Sequence, residues 1–204
     1  MKIFVLVILA IVLISAGYFL FTSHKFLTKN SSTVKQTSVT IKLPKEKKMT
    51  ITSPVFIDHT AIPSVYTCDG KSINPPLSFS DIPSEAKSLV LIMDDPDVPK
   101  KLLPSGVFDH WVIYNIDPKV REIAENSVPA GAAQGLNGAG QQKYYGPCPP
   151  DREHRYFFTL YALDAKLDFA VPETVTKQMV LGQLQGHIIE KAELVGLYNR
   201  PQNK

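Results

Sequence analysis

The sequence predicts a mainly β protein, a β-sandwich carrying one or two short helices, preceded by an N-terminal transmembrane helix. Three observations lead there. Fifteen of the sixteen prolines fall after Met49, where turn clusters such as Cys68-Asp69-Gly70 and Asn74-Pro75-Pro76 punctuate short apolar runs. Four of those runs have the composition of strands. One long uncharged stretch, Ile3 to Phe21, precedes them all.

That stretch comes first in the chain and is the strongest physical signal. Its roughly 19 residues make close to 30 Å of helix, enough to span a bilayer. Ser15, Ala16 and Gly17 supply the small residues of a cleavage site, but Tyr18, Phe19, Leu20 and Phe21 continue the apolar run. Residues 1–22 therefore read as an uncleaved membrane anchor through residues 3–21, and cleavage giving a secreted form is the alternative. No Cys follows the run, which excludes a lipoprotein. Residues 23–48 interleave Ser and Thr with Lys and hold too little apolar surface to bury, so they read as a disordered tether. The tether lysines also suit anionic headgroups.

The remaining chain, residues 49–204, is the length of one domain with one core. Residues 1–48 carry eight Lys against one acid, Glu46, leaving fourteen basic and eighteen acidic side chains for the body. An acidic body argues against nucleic acid, because phosphate backbones are held by clustered Lys and Arg.

The strands follow in order. Ser88–Met93 is continuously apolar after its Ser, as expected of a strand buried on both faces. His110–Ile116 and Tyr156–Leu163 are aromatic and β-branched, and Glu193–Tyr198 is a shorter candidate. Thr174 to Lys191 reads as a helix, with Val175, Met179, Leu181 and Leu184 on one stripe and Gly182 and Gly186 weakening it. Residues 126–150 have no strand pattern and exceed an ordinary connection. Tyr144, Tyr145 and three prolines restrict their far end, which predicts an ordered pocket wall.

Ionisable residues gather at three strand mouths. Asp94, Asp95 and Asp97 follow the most buried strand, Asp109 and His110 open the next, and His154 and Arg155 open the one after the long loop. If the mouths share one end of the sandwich, two His, an Arg and a carboxylate line the rim of a cavity, with Gly146, Pro147, Pro149 and Pro150 beside them. Imidazole and guanidinium groups donate to anionic oxygens, and backbone N–H groups near Gly add to them. The expected guest is a phosphate monoester or diester, with Asp95 fixing a His tautomer or accepting from a protonated phosphate oxygen. Asp before Pro also favours simple turns, and a strand-end His often serves a structural bond. As rim groups, His110 and His154 are expected to tolerate Ala without loss of folding.

Taken together, Asp95-Pro96-Asp97-Val98-Pro99, Asp109-His110-Trp111, Tyr145-Gly146-Pro147-Cys148-Pro149-Pro150 and His154-Arg155-Tyr156 resemble the phosphatidylethanolamine-binding-protein family, in particular its bacterial Raf-kinase-inhibitor-like branch. Tyr66-Thr67-Cys68-Asp69-Gly70, Asn74-Pro75-Pro76-Leu77 and Ala192 to Tyr198 extend the likeness over residues 50–200. The resemblance implies a Greek-key β-sandwich and a pocket for a phosphate-like anion or lipid headgroup. Its lining would be Asp95, His110, Gly146, Pro149, Pro150, His154 and Tyr156, supported by Asp97 and Arg155. The sequence departs from eukaryotic relatives at Cys148, in a shorter link from Pro150 to His154, and in lacking a Tyr shortly before His110. These departures bear on headgroup preference and kinase regulation and leave the anion pocket itself intact.

Cys68 and Cys148 lie in turn-rich loops, and a bond between them would contribute roughly 4 kcal/mol by loop-closure entropy. That pairing places the domain outside the cytoplasm, periplasmic or extracellular. A non-enzymatic binding module without cofactor or metal is the leading reading. One rival is a hydrolase or metal-dependent enzyme using Asp95, His110 and His154; another is a protease or kinase inhibitor. The sequence contains no HExxH, GxSxG or Walker-type loop. It is compatible with a homodimer and names no protein partner. His59 and His187 receive no role.

Overall fold

The computed structural model describes residues 47–201. The expected membrane span and almost all of the tether lie outside the described residues, among which no helix is long and apolar enough to cross a membrane. Nine strands and one α-helix make up the described fold. The strands are β1 (Thr50–Thr52), β2 (Thr60–Ala61), β3 (Leu77–Ser80), β4 (Ser88–Asp95), β5 (Phe108–Ile116), β6 (Glu122–Ile123), β7 (Ala133–Gln134), β8 (His154–Leu163) and β9 (Ile188–Tyr198), and the helix is α1 (Lys177–Leu184).

A three-stranded sheet, β1-β3-β6, packs on one face of a six-stranded sheet ordered β2-β9-β8-β4-β5-β7. Neighbours are antiparallel except β2 and β9. In the larger sheet β8 returns to lie beside β4, the fourth-beside-first order of a Greek key.

All four expected strands are present, each longer than its apolar run. β4 is buried on both faces for the reason its composition implied. Leu89, Leu91 and Met93 enter the core between the sheets, while Val90 and Ile92 face a second core closed by α1. The five missed strands span two to four residues, too short to show a period of two.

The helix is shorter than its sequence pattern, and its stripe is different. Thr176 caps it by accepting from the Met179 amide, and Gly186 at φ 81° ends it in the left-handed conformation that favours glycine. Ile188 to Lys191 then open β9, where pairing to β8 satisfies the backbone better than two more helical turns. Val180 and Leu184 are buried with Lys177, whereas Met179 and Leu181 are exposed.

Two irregularities in β5 set the directions of its side chains. Four residues, Ile113 to Ile116, span the register of three on β4, Leu89 to Leu91, with Asn115 at φ 57° as the adapting residue. At the other end, Met93 pairs with Trp111 but Asp94 with Asp109, so His110 is the extra residue of a bulge. The bulge separates neighbours. His110 joins Tyr156 on the inter-sheet side, and Asp109 turns to the helix side.

The long connection before β8 is ordered by its own polar atoms. Asn137, which is buried, accepts from the amides of Ala139 and Gln141 and donates to the Lys143 carbonyl. β7 pairs with β5, and Trp111 Nε1 donates to Gln134.

Candidate anion-binding site

β4 ends at Asp95, β8 begins at His154, and the two strands are antiparallel neighbours, so these residues meet at one edge of the inter-sheet core. His154 Nδ1 lies 2.7 Å from Asp95 Oδ2. Its Nε2 lies 2.9 Å from Oδ1 of Asp151, a residue that the sequence reading missed. Both nitrogens thus face carboxylate oxygens, and a ring nitrogen that carries its proton donates to the carboxylate it faces. Asp95 also accepts from the Asp97 amide at 2.8 Å. Burial raises its carboxyl above the usual carboxylate range, opposed by the contacts from His154 and the Asp97 amide.

His110 is placed differently. Its Nδ1 donates to the Tyr145 carbonyl at 2.6 Å while the Tyr145 amide donates back to the His110 carbonyl at 2.9 Å. Burial lowers its pKa to about 4, because the Tyr145 carbonyl only partly offsets desolvation and His154 adds repulsion. The ring is neutral at pH 7, with a proton on Nδ1 and a lone pair on Nε2. His110 therefore offers an acceptor, where the sequence had led us to expect a donor.

Tyr156 lies between these groups. Its ring sits edge-on to His110 at 5.2 Å, and its hydroxyl is buried without a hydrogen-bond partner. Asp95 acts on the phenol through its charge and a weak side-chain interaction that falls short of a well-formed hydrogen bond. Burial first, and that charge second, raise the phenol pKa, so it remains a donor.

The rim pictured from sequence is corrected to an enclosed cluster, with Asp95 and His110 each 3% exposed and His154 and Tyr156 at 0%. Because β4 continues through Asp95 and β8 begins at His154, strand alternation carries those two side chains inward, where the sequence suggested that the strands give way to loop. Surface hollows elsewhere, such as the one bounded by Trp111, Gln134, Lys143 and Tyr144, are lined by other residues. Among the described residues no group of three or more His, Cys, Asp or Glu is arranged to hold a metal ion.

The remaining expected residues divide by role. Arg155 alternates to the outer side of β8 and holds Asp97 by a bidentate pair, Nε to Oδ2 and Nη2 to Oδ1, both 2.8 Å. That hydrogen bonding, outweighing burial, lowers the Asp97 carboxyl to about 2. Gly146 is present for close approach. A Cβ there would lie 2.7 Å from Ser72 Oγ and 2.9 Å from the Thr67 carbonyl carbon, and the Gly146 amide donates to Ser72. Pro149 is buried and Pro150 faces solvent.

The loop carrying Tyr145 is tied down at its other side. Cys68 and Cys148 form a disulfide with Cα atoms 5.4 Å apart, the Cys68 amide donates to the Pro147 carbonyl, and the Tyr144 hydroxyl donates to the Tyr66 carbonyl. The pairing expected from sequence thus fixes the segment that orients His110. His59 and His187 make surface pairs with Asp58 and Asp164, away from the cluster.

A β fold closed by one helix, with an enclosed His–Asp–Tyr cluster at the strand ends, agrees with the likeness read from sequence. A family model described as phosphatidylethanolamine-binding protein matches residues 52–199. The chain belongs to the phosphatidylethanolamine-binding-protein family. It is 50% identical over 152 residues to a UPF0098 protein of Chlamydia trachomatis serovar D, covering 74% of this chain and 99% of that one. It is 48% identical over 157 residues to a UPF0098 protein of Methanothermobacter thermautotrophicus, covering 74% and 99%. Among solved structures, a phosphatidylethanolamine-binding-protein homolog of Chlamydia trachomatis, CT736, superposes with a TM-score of 0.72 at 49% identity, covering 76% of this chain and 99% of that one. Escherichia coli YbcL, described as a member of the mammalian family, superposes at 0.68 with 25% identity, covering 76% and 100%.

Proposed function

We propose that this chain is a non-enzymatic binding module whose Asp95, His110, His154 and Tyr156 cluster takes one phosphate-like group bearing a proton, from a lipid headgroup or a phosphorylated small molecule. The observation that carries the reading is the Tyr156 hydroxyl, a buried donor with no well-formed hydrogen bond, its one nearby acceptor being the weakly placed Asp95 carboxylate. Buried polar groups are almost always satisfied, and a ligand oxygen would satisfy this one. His154 Nε2 supplies a second ring nitrogen to the same region. The His110 Nε2 lone pair accepts the remaining P–OH proton, which favours a monoanion over a dianion. Cys148 is held in a disulfide and has no thiolate to offer as a nucleophile.

Tyr156→Phe tests the reading. Titration of the full chain with inorganic phosphate should show binding about tenfold weaker in the variant, with thermal stability unchanged or raised because an unsatisfied hydroxyl has gone. Equal affinity of the two proteins would defeat the proposal. Phosphoethanolamine in solution and vesicles containing phosphatidylethanolamine then separate a free ligand from a lipid headgroup.

We further propose that residues 3–21 hold the domain at a membrane with its face outside the cytoplasm, supported by their uncharged length and by a disulfide that persists in oxidising compartments. Intact mass of protein extracted from membranes tests this. Loss of residues 1–22, or release without detergent, would count against an anchor.

A further inference from the structure

His154 has one nitrogen committed to the interior and one that is not. Nδ1 is held by Asp95, itself buried and fixed by the Asp97 amide. Only Nε2 can turn to a ligand. In the structure that nitrogen is taken by Asp151 Oδ1 at 2.9 Å. The two carboxylates on this imidazole differ in one physical respect: the Asp95 side chain is 4% exposed and Asp151 is 45% exposed. Asp151 sits in the short solvent-facing link between Pro150 and His154, outside any strand or helix. Arg152, beside it, has Nη1 3.9 Å from Asp151 Oδ1 and Nη2 3.9 Å from Asp97 Oδ1.

We propose that Asp151 is a displaceable internal carboxylate that occupies the ligand position on His154 Nε2 and thereby sets the affinity of the site. The inference rests on the anion-site reading above and adds the residue that regulates it. A carboxylate oxygen has the charge and the hydrogen-bonding geometry of one phosphate oxygen, so the chain's own Asp151 can take the place of a ligand oxygen. An incoming anion must remove it. The removed carboxylate enters solvent with the Arg152 guanidinium close by, so its release is cheap compared with that of Asp95. The same displacement frees the Nε2 edge of the buried His154 ring. When only a fraction of molecules is open, apparent affinity falls by that fraction.

The test is phosphate titration of the full chain at fixed pH and ionic strength, comparing native protein with Asp151→Ala and Asp151→Asn. Asp151→Ala should bind inorganic phosphate about tenfold tighter, the factor for a native site plugged in roughly nine molecules of ten. Asp151→Asn keeps an acceptor oxygen without the charge and should fall between the two. In a proton spectrum, the His154 Nε2–H signal should be protected from exchange in native protein and lost in Asp151→Ala. Unchanged or weaker phosphate binding by Asp151→Ala, with Tyr156→Phe still weakening native binding, would overturn the plug and leave the anion site standing. Absence of phosphate binding by native protein and all variants would remove both.

Discussion

Neighbouring residues on β4 serve two ion clusters on opposite faces of one sheet. Toward α1, Asp94 and its strand partner Asp109 both contact Lys177 Nζ, at 3.1 Å for Asp94. Burial alone would lower the Lys177 pKa, but hydrogen bonding to Asp109 and the charge of Asp94 prevail and raise it. Every member of that cluster is satisfied within the chain. On the opposite face Asp95 meets His154, His110 stays neutral, and Tyr156 has no partner. The difference teaches where to look for function. A closed ion cluster pins an element, whereas a buried cluster with a spare donor, a spare acceptor and an exposed carboxylate invites a ligand.

The comparison breaks most severely at His154. Replacing it with Ala leaves Asp95 buried and uncompensated, and urea unfolding should show a loss of about 4 kcal/mol together with loss of phosphate binding. This reverses the tolerance that a rim position would allow. Asp95→Asn in the same chain should recover part of that stability, since the two residues act as a pair.

Acid distinguishes the faces next. His110 titrates near 4 in the folded protein and near 6.5 unfolded. Between those values the unfolded chain takes up a proton that the native chain refuses, so stability present above pH 6.5 is lost as pH falls toward 4. The loss should reach about 3 kcal/mol. His110→Asn keeps a donor for Tyr145 and should flatten that portion of the stability-versus-pH curve. An equal slope in both proteins would assign the loss elsewhere.

Lys177→Met sharpens the contrast. It leaves two carboxylates facing each other across β4 and β5 and should cost about 2 kcal/mol, less than a fully buried pair because Asp94 is partly solvated. Phosphate affinity should stay within twofold of native, as measured by the same titration. A large affinity change would mean that the two faces are coupled through the strands. The smallest effect belongs to Arg155→Ala. With Arg155 half exposed, its pair with Asp97 is screened by water and its loss should cost about 1 kcal/mol or less in thermal unfolding.

Much of the fold could be read from the chain because its central strands are strongly marked. Ser88–Met93 needs apolar side chains on both faces, and no other element of this length has that composition. The short strands were not legible, since two residues at Glu122–Ile123 or Ala133–Gln134 carry no period. The helix boundary failed for a related reason. Ile188 to Lys191 fit a helical pattern locally, and only pairing with β8 makes them a strand.

The site was legible as a set of residues and not as a geometry. Asp95, His110, His154 and Tyr156 were named by their places at strand mouths and by family likeness, and the fold brings them together. Asp151 was missed because an acid in a polar loop looks like an ordinary solvated residue, as does Lys177 of the cluster on the opposite face.

Residue chemistry, turn positions and the long apolar segment are written in the order of amino acids, since each depends on near neighbours alone. Which nitrogen of His110 carries its proton, which carboxylate closes His154 and which face Asp94 takes are decided by register, by a one-residue bulge and by burial. Those quantities exist only once distant strands have paired, because desolvation and hydrogen-bond geometry depend on what surrounds a group in space.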